Sequence, residues 1–199
     1  MPVIEAPAAP VLGAQEERIV DAALRCFARW GVAKTTLDDI AREAGYSRAT
    51  VYRFFPGGKD QLVNGTIAWE AGRFFERLAI AVADAPDLET LLVDAVMFAH
   101  QAFEEHVVLQ KILETEPELL LPQLTIESTR LLAFIRNFLM GPLERARPRL
   151  TPGLDVDWAA DHISRLVLNF VGTPGRWDLT DRSQVDQLVR TELLAGVLR

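Results

Sequence analysis

The sequence predicts an all-α fold of about nine helices. Three observations predict it. Apolar residues recur three and four apart through most of the chain, the spacing of a helix face. No sustained period-two run is present to form a sheet. Glycine and proline fall in clusters that cut the chain into helix-length pieces. With 199 residues, 49% of them apolar, the chain can fill a core in one or two domains. It contains no internal repeat.

The first helix is expected over 15–30, with Ile19, Ala22, Ala23, Cys26, Phe27 and Trp30 on one side and Gly31 ending it. Leu37 to Ala44 follows, with Ile40, Ala41 and Ala44 as its inner stripe. Gly45 stands where a helix must stop, because a residue without Cβ takes the left-handed conformation cheaply. Ser47 is placed to cap a helix from Arg48 to Phe55, with Val51 and Phe54 inward. A fourth helix opens at Lys59 and runs to Ala83 through Leu62, Ile67, Trp69, Phe74, Phe75, Leu78 and Val82, and Ala85-Pro86-Asp87 breaks it. Leu88–His106 and the short Leu109–Thr115, stopped by Pro117, come next. Leu124–Arg147 carries Gly141-Pro142, the sequence of a kink. Asp157–Val171 and Ser183–Arg199, the latter with Ser183 as N-cap, complete the set.

The stretch Thr35–Pro56, TTLDDIAREAGYSRATVYRFFP, organises the rest. Two short helices crossing steeply need small residues where they meet, and Ala41, Gly45 and Val51 are spaced for that. This is the pattern of a helix-turn-helix, whose second helix lies in the DNA major groove. With its flanks, CFARWG before it and Lys-Asp-Gln-Leu after it, the segment Gln15–Leu62 resembles the DNA-binding domain of the tetracycline-repressor (TetR/AcrR) family of bacterial transcriptional regulators. The resemblance covers about a quarter of the chain; beyond it only the general helical pattern agrees. It implies a DNA-binding domain at 14–60 and an effector-binding and dimerisation domain at 61–199, while the Pro/Ala composition of 1–13 predicts a disordered arm. Two departures stand out. Arg53 occupies a place where many relatives carry a second aromatic, and Pro56-Gly57-Gly58 is one residue longer than the usual turn.

The DNA-facing residues follow from the helix geometry. Arg48, near the helix N-terminus, has a fork that can bond guanine O6 and N7. Ala49 allows close approach and offers a methyl to thymine, and Thr50 can bond a base edge or a phosphate. Tyr52 and Arg53 suit phosphates. Thr36 and Ser47, as N-caps, and Lys59, opening the fourth helix, grip the backbone on either side, roles that the matching positions hold in the family.

The net charge of −7 divides unevenly. Residues 1–59 carry eight Lys/Arg against seven Asp/Glu, and the remainder thirteen against twenty-one. The DNA-facing portion is thus locally basic at Arg48, Arg53 and Lys59, while the acidic remainder is repelled by the duplex. Cys26 is the single cysteine, so no intrachain disulfide forms. A buried thiol in a reducing cytoplasm is the expectation. The Pro/Ala arm has no basic residue and is no secretory signal. No apolar run approaches the ~20 residues of a membrane span.

One motif reads few base pairs, so a homodimer on a pseudo-palindromic operator is expected. The resemblance implies that the last two helices form the interface, with Leu166, Val167, Phe170, Val171, Leu188, Leu193, Leu194, Val197 and Leu198 shared between it and the core. It also implies a pocket for a small apolar effector, for which Trp69, Phe98, Gln101, Phe134, Asn137 and His162 are the candidates. The leading function is a repressor released from its operator by that effector. The alternatives are a DNA-binding module answering to a protein partner without any pocket, and a helical enzyme or carrier with a coincidental motif. His100, Glu104, Glu105 and His106 cannot share one helix face, so no metal site is expected, and no cofactor. No nucleophile–base pair, phosphate loop or fixed carboxylate pair points to an enzyme.

Overall fold

The computed structural model describes residues 11–116 and 128–199. Most of the arm at 1–13, the Pro117 stop, and the predicted helix start at Leu124 with Ile126 lie outside them. Among the described residues there are nine α-helices and no strand: α1 Ala14–Trp30, α2 Leu37–Ala44, α3 Arg48–Phe54, α4 Gly58–Ala81, α5 Leu88–Glu105, α6 Val107–Thr115, α7 Ser128–Ala146, α8 Val156–Gly172 and α9 Arg182–Leu188. The fold is all-α, as the periodicity requires. Two compact units divide these helices. One takes the described residues up to Phe74 together with Glu105–Glu116, and the other takes Phe75–Glu104 and the described residues from Ser128 onward. The DNA-binding domain drawn from the sequence at 14–60 is therefore the larger part of a unit that also includes most of α4 and α6.

The first unit is built on small and branched residues. Ile19, Val20, Ala22, Ala23, Ile40, Ala44, Val51 and Leu62 are fully buried in one cluster. Its helix ends are closed by the devices the sequence advertises. Thr36 caps α2: its hydroxyl oxygen accepts from the Asp39 N–H (3.2 Å) while the Asp39 carboxylate accepts from the Thr36 N–H (3.1 Å). Gly45 ends α2 in the left-handed conformation (φ 71°), and the Tyr46 N–H returns to the Ala41 carbonyl at 2.9 Å. Ser47 caps α3 by accepting from the Thr50 N–H at 3.1 Å. Three details differ from the reading. Phe54 packs half-buried against the cluster, and Phe55 at the C-cap of α3 goes in more deeply. Trp30 stands 39% exposed with Arg29 over its ring, because Gly31 ends α1 there before another turn can cover the indole. Ile67 is exposed on α4. Cys26 is buried as expected, and burial, helped by Glu43 and Asp39, pushes its thiol up toward the unreactive neutral form.

In the second unit, Phe75, Leu92, Val96, Leu143, Ala159, Ile163 and Leu188 are buried. Phe75 meets Phe134 and Phe138 in tilted pairs, with ring centroids 5.8 and 6.4 Å apart. Pro142 lies inside α7. Asp155 caps α8. The cap of α9 is Asp181 rather than Ser183: the Asp181 carboxylate accepts from both the Ser183 N–H (2.8 Å) and its hydroxyl (2.7 Å). The helix therefore starts at Arg182, and the Ser183 hydroxyl, inside its first turn, donates back to the capping carboxylate. The predicted helix to Arg199 also stops early. α9 passes into one π turn, Val189–Leu193, and Gly196 (φ 75°) turns the chain back. There the Thr151 N–H donates to the Val197 carbonyl (2.9 Å) and the Arg199 N–H to that of Arg149 (3.0 Å).

The apolar residues of the last two helices divide in part, with Val167, Val171 and Leu198 half-buried between the two sets. Leu188, Leu193, Leu194 and Val197 are buried within the chain's own core. On α8, Val156, Ala159, Ala160 and Ile163 face inward. The four-residue row Trp158, His162, Leu166, Phe170 runs along another side, with Trp158 54% exposed and the other three half-buried.

Candidate nucleic-acid interface

The crossing of α2 and α3 leaves one side of α3 outward. Val51 is buried, while Ser47, Arg48, Ala49, Tyr52 and Arg53 are exposed and Thr50 is half-buried. Thr36, also exposed, opens α2. A seven-residue helix with its N-terminal side chains in solvent is free to approach a groove edge-on.

The guanidinium of Arg48 is held by two neighbours. Its Nη1 lies 3.2 Å from Asp38 Oδ2, and its Nη2 lies 3.4 Å from the Tyr52 hydroxyl. The group also stands over the Tyr52 ring, 5.4 Å from the centroid. The Tyr52 hydroxyl and then the Asp38 charge push the Arg48 pKa above its ordinary value. Arg53 lies over Phe54 at 4.9 Å. Ser47 and Thr50 share a hydroxyl–hydroxyl hydrogen bond of 3.0 Å.

Lys59 is engaged elsewhere. Its Nζ donates to the Ala33 carbonyl at 3.0 Å, while the N–H of the same residue donates to Glu116 Oε2 at 2.8 Å. Ala33, in the α1–α2 loop, is thus gripped through both halves of its backbone. Glu116 is buried for this purpose, and Gly31 beside it has φ 81° and no room for a Cβ against that carboxylate. Neither Asp38 nor Glu116 carries a sequence signal of these contacts. Asp38 resembles any acid in a helix first turn, and Glu116 is 83 residues from its partner with no periodic signal joining them.

The six effector candidates fall on both units. Trp69 is buried in the first, with Arg73 over its ring at 4.7 Å. The other five belong to the second. Phe134 meets Phe75; His162 stacks on Trp158 with centroids 5.0 Å apart; Gln101 and Asn137 are exposed and Phe98 is half-buried. A cleft of about 220 Å³ between the start of α5 and the end of α7 is lined by Pro86, Asp87, Leu91, Pro142, Arg145 and Arg149 among others, and by none of these six. Of the acid–histidine group, His106 caps α6 through Nδ1, which accepts from the Leu109 N–H (3.2 Å), and its Nε2 faces Glu70 at 3.2 Å. No helix among the described residues is long and apolar enough to cross a membrane.

A helical unit displaying a capped, cation-bearing second helix defines a helix-turn-helix protein. Residues 19–66 match the family described as bacterial regulatory proteins, tetR family. That match takes in α2 and α3 and covers about a quarter of the chain. It is 46% identical over 52 residues to the HTH-type transcriptional regulator SrpR of Pseudomonas putida, covering 26% of this chain and 24% of that one. It is 33% identical over 97 residues to the HTH-type transcriptional regulator BetI of Brucella suis biovar 1 (strain 1330), covering 47% and 48%. The matched stretch thus spans a quarter to a half of these curated relatives. Similarity extends further in structure. SmeT, the repressor of the Stenotrophomonas maltophilia multidrug efflux pump SmeDEF, solved in complex with triclosan, is 25% identical with a TM-score of 0.61, covering 94% of this chain and 93% of that one. These relatives are transcriptional regulators and not enzymes.

Proposed function

We propose that the protein is a cytoplasmic DNA-binding transcriptional regulator, a repressor that binds a pseudo-palindromic operator as a homodimer and leaves it when a small apolar effector binds. The observation that carries this reading is the outward side of α3, where Arg48, Ala49, Tyr52 and Arg53 are exposed while Val51 is fully buried. Arg48 and Ala49 read base edges; Thr36, Ser47, Tyr52 and Arg53 take phosphates, and Thr50 takes either. Lys59 reaches the backbone only by giving up Ala33. Residues 14–60 do the reading, and 61–199 supply the dimer and the effector site. The row Trp158, His162, Leu166, Phe170 on α8 supports a dimer contact, since it is apolar surface left over after the chain's own core is filled.

The effector part is supported by the resemblance to SmeT, which is known with triclosan bound. Phe98, Gln101, Phe134, Asn137 and His162, all in the second unit, are the residues we assign to it. The effector works by favouring a conformer whose two recognition helices are misplaced for successive major grooves. To empty the operator it must prefer that conformer by several kcal/mol.

Selection of bound duplexes from a random pool tests the reading. A single two-fold symmetric consensus is the expected result, and Arg48→Ala should weaken binding to it about ten- to a hundredfold with the helical fold unchanged. Equal recovery of all sequences would overturn it.

A further inference from the structure

A carboxylate on a DNA-reading surface is out of place. Phosphates repel it, and every duplex bound without a compensating contact is bound more weakly for it. Asp38 is such a group. Its side chain is 54% exposed, in the first turn of α2, and it contacts the outward cation of α3 from ten residues away. Unlike Asp39 beside it, it does no capping; the Thr36 hydroxyl and N–H both go to Asp39. Its partner in the structure is Arg48.

We propose that Asp38 is a specificity-determining residue, which positions Arg48 for a guanine edge and penalises its use on a phosphate. A guanidinium has five N–H donors. Asp38 and Tyr52 occupy one each, on Nη1 and Nη2. The three that are left can still form a fork onto guanine O6 and N7, so the contact with Asp38 survives when the correct base is present. Tyr52 beneath the group and Asp38 at its side fix a long, flexible side chain in one orientation. The entropy of ordering it is then lost on folding instead of on binding. On a random duplex Arg48 gains only a phosphate. To reach it the cation must leave Asp38, and the freed carboxylate is left facing the duplex charge. Asp38 therefore lowers non-specific affinity more than operator affinity. The size of the effect is that of an exposed ion pair, about two- to fivefold in the ratio of the two.

This inference rests on the regulator reading, and its test separates the two. The full chain is titrated by fluorescence anisotropy, at several salt concentrations, against the selected consensus duplex and against a random-sequence duplex of the same length. Asp38→Asn keeps the shape and removes the charge. It should tighten binding to the random duplex about two- to fivefold while consensus binding is unchanged or weaker, and it should relax base preference at the position Arg48 reads. In an Arg48→Ala background the same substitution should shift both duplexes alike and leave their ratio where it was. A ratio unchanged by Asp38→Asn, or one that changes equally without Arg48, would overturn the inference alone. A wild-type chain that enriches no consensus would overturn the regulator reading and this inference with it.

Discussion

The α2–α3 pair, joined by a tight turn, and the α8–α9 pair, joined by the longer segment 173–181, are stabilised in opposite ways. α2 and α3 are eight and seven residues long, too short to persist alone. Their ends are fixed by Thr36, Asp39, Gly45 and Ser47, and their interior is Ile40, Ala41, Ala44 and Val51, all buried. Little apolar surface is left over. α8 is seventeen residues long and needs less help at its ends, and it keeps the row Trp158–Phe170 outside its own core. A rigid, self-sufficient unit can present side chains at fixed positions. A helix with surplus apolar surface awaits something to cover it.

Four changes should sharpen or break that contrast. The largest effect belongs to Ile40→Ala. A cavity in the tightly filled first unit should cost about 2–5 kcal/mol in denaturant unfolding, and a loss under 1 kcal/mol would mean that the unit is loosely packed. Leu166→Asp should act differently. By sedimentation it should weaken self-association about ten- to a hundredfold, while the unfolding of the monomer changes little because the side chain is half-buried. Ser47→Ala should cost about 1 kcal/mol through the lost cap. It should weaken consensus binding as well, because α3 frays at the end that carries Arg48. Retention of both stability and binding would show that packing of Val51 alone holds the helix.

The smallest effect is one of pH. Hydrogen bonds from the Thr36 hydroxyl and N–H hold the Asp39 carboxyl below its ordinary range. A depressed folded-state pKa gives stability that is complete above the unfolded value, near 3.9, and is lost as pH falls through the folded one. Wild type should therefore lose slightly more stability than Asp39→Asn between pH 5 and 2, as thermal unfolding would show. An equal loss in both would place the acid sensitivity elsewhere, at Asp87 or Asp181, whose carboxyls are lowered in the same way by Thr90 and by Ser183.

What was legible in the residues was whatever depends on neighbours a few positions away. The bounds of α2 were readable to the residue because a cap, a capping acid, an inner stripe and a terminating glycine all fall within ten positions. The same was true of Ser47 and the outward run Arg48–Ala49. Misreadings arose where two local signals compete. Phe54 and Phe55 are adjacent aromatics that both meet the core, and only the angle at which α3 ends decides that Phe55 goes deeper. Ser183 and Asp181 are both good cap residues two positions apart, and the helix begins after Asp181, which leaves Ser183 as a donor in its first turn. The helix to Arg199 looked continuous because a return of the chain against Thr151 and Arg149 leaves no periodic trace.

By itself, then, the chain determined its helical class, its helix-turn-helix and the residues that motif turns outward, since caps, glycines and three-four spacing act through local backbone geometry. Tertiary structure alone decided that Asp38 meets Arg48, that Lys59 and Glu116 hold the two halves of one peptide residue, and that Leu188 and Val197 go inside while Trp158 and Leu166 do not. Those outcomes depend on which surfaces come together once the helices pack. Nothing in the order of the residues records that until burial and hydrogen bonding have chosen among the possible neighbours.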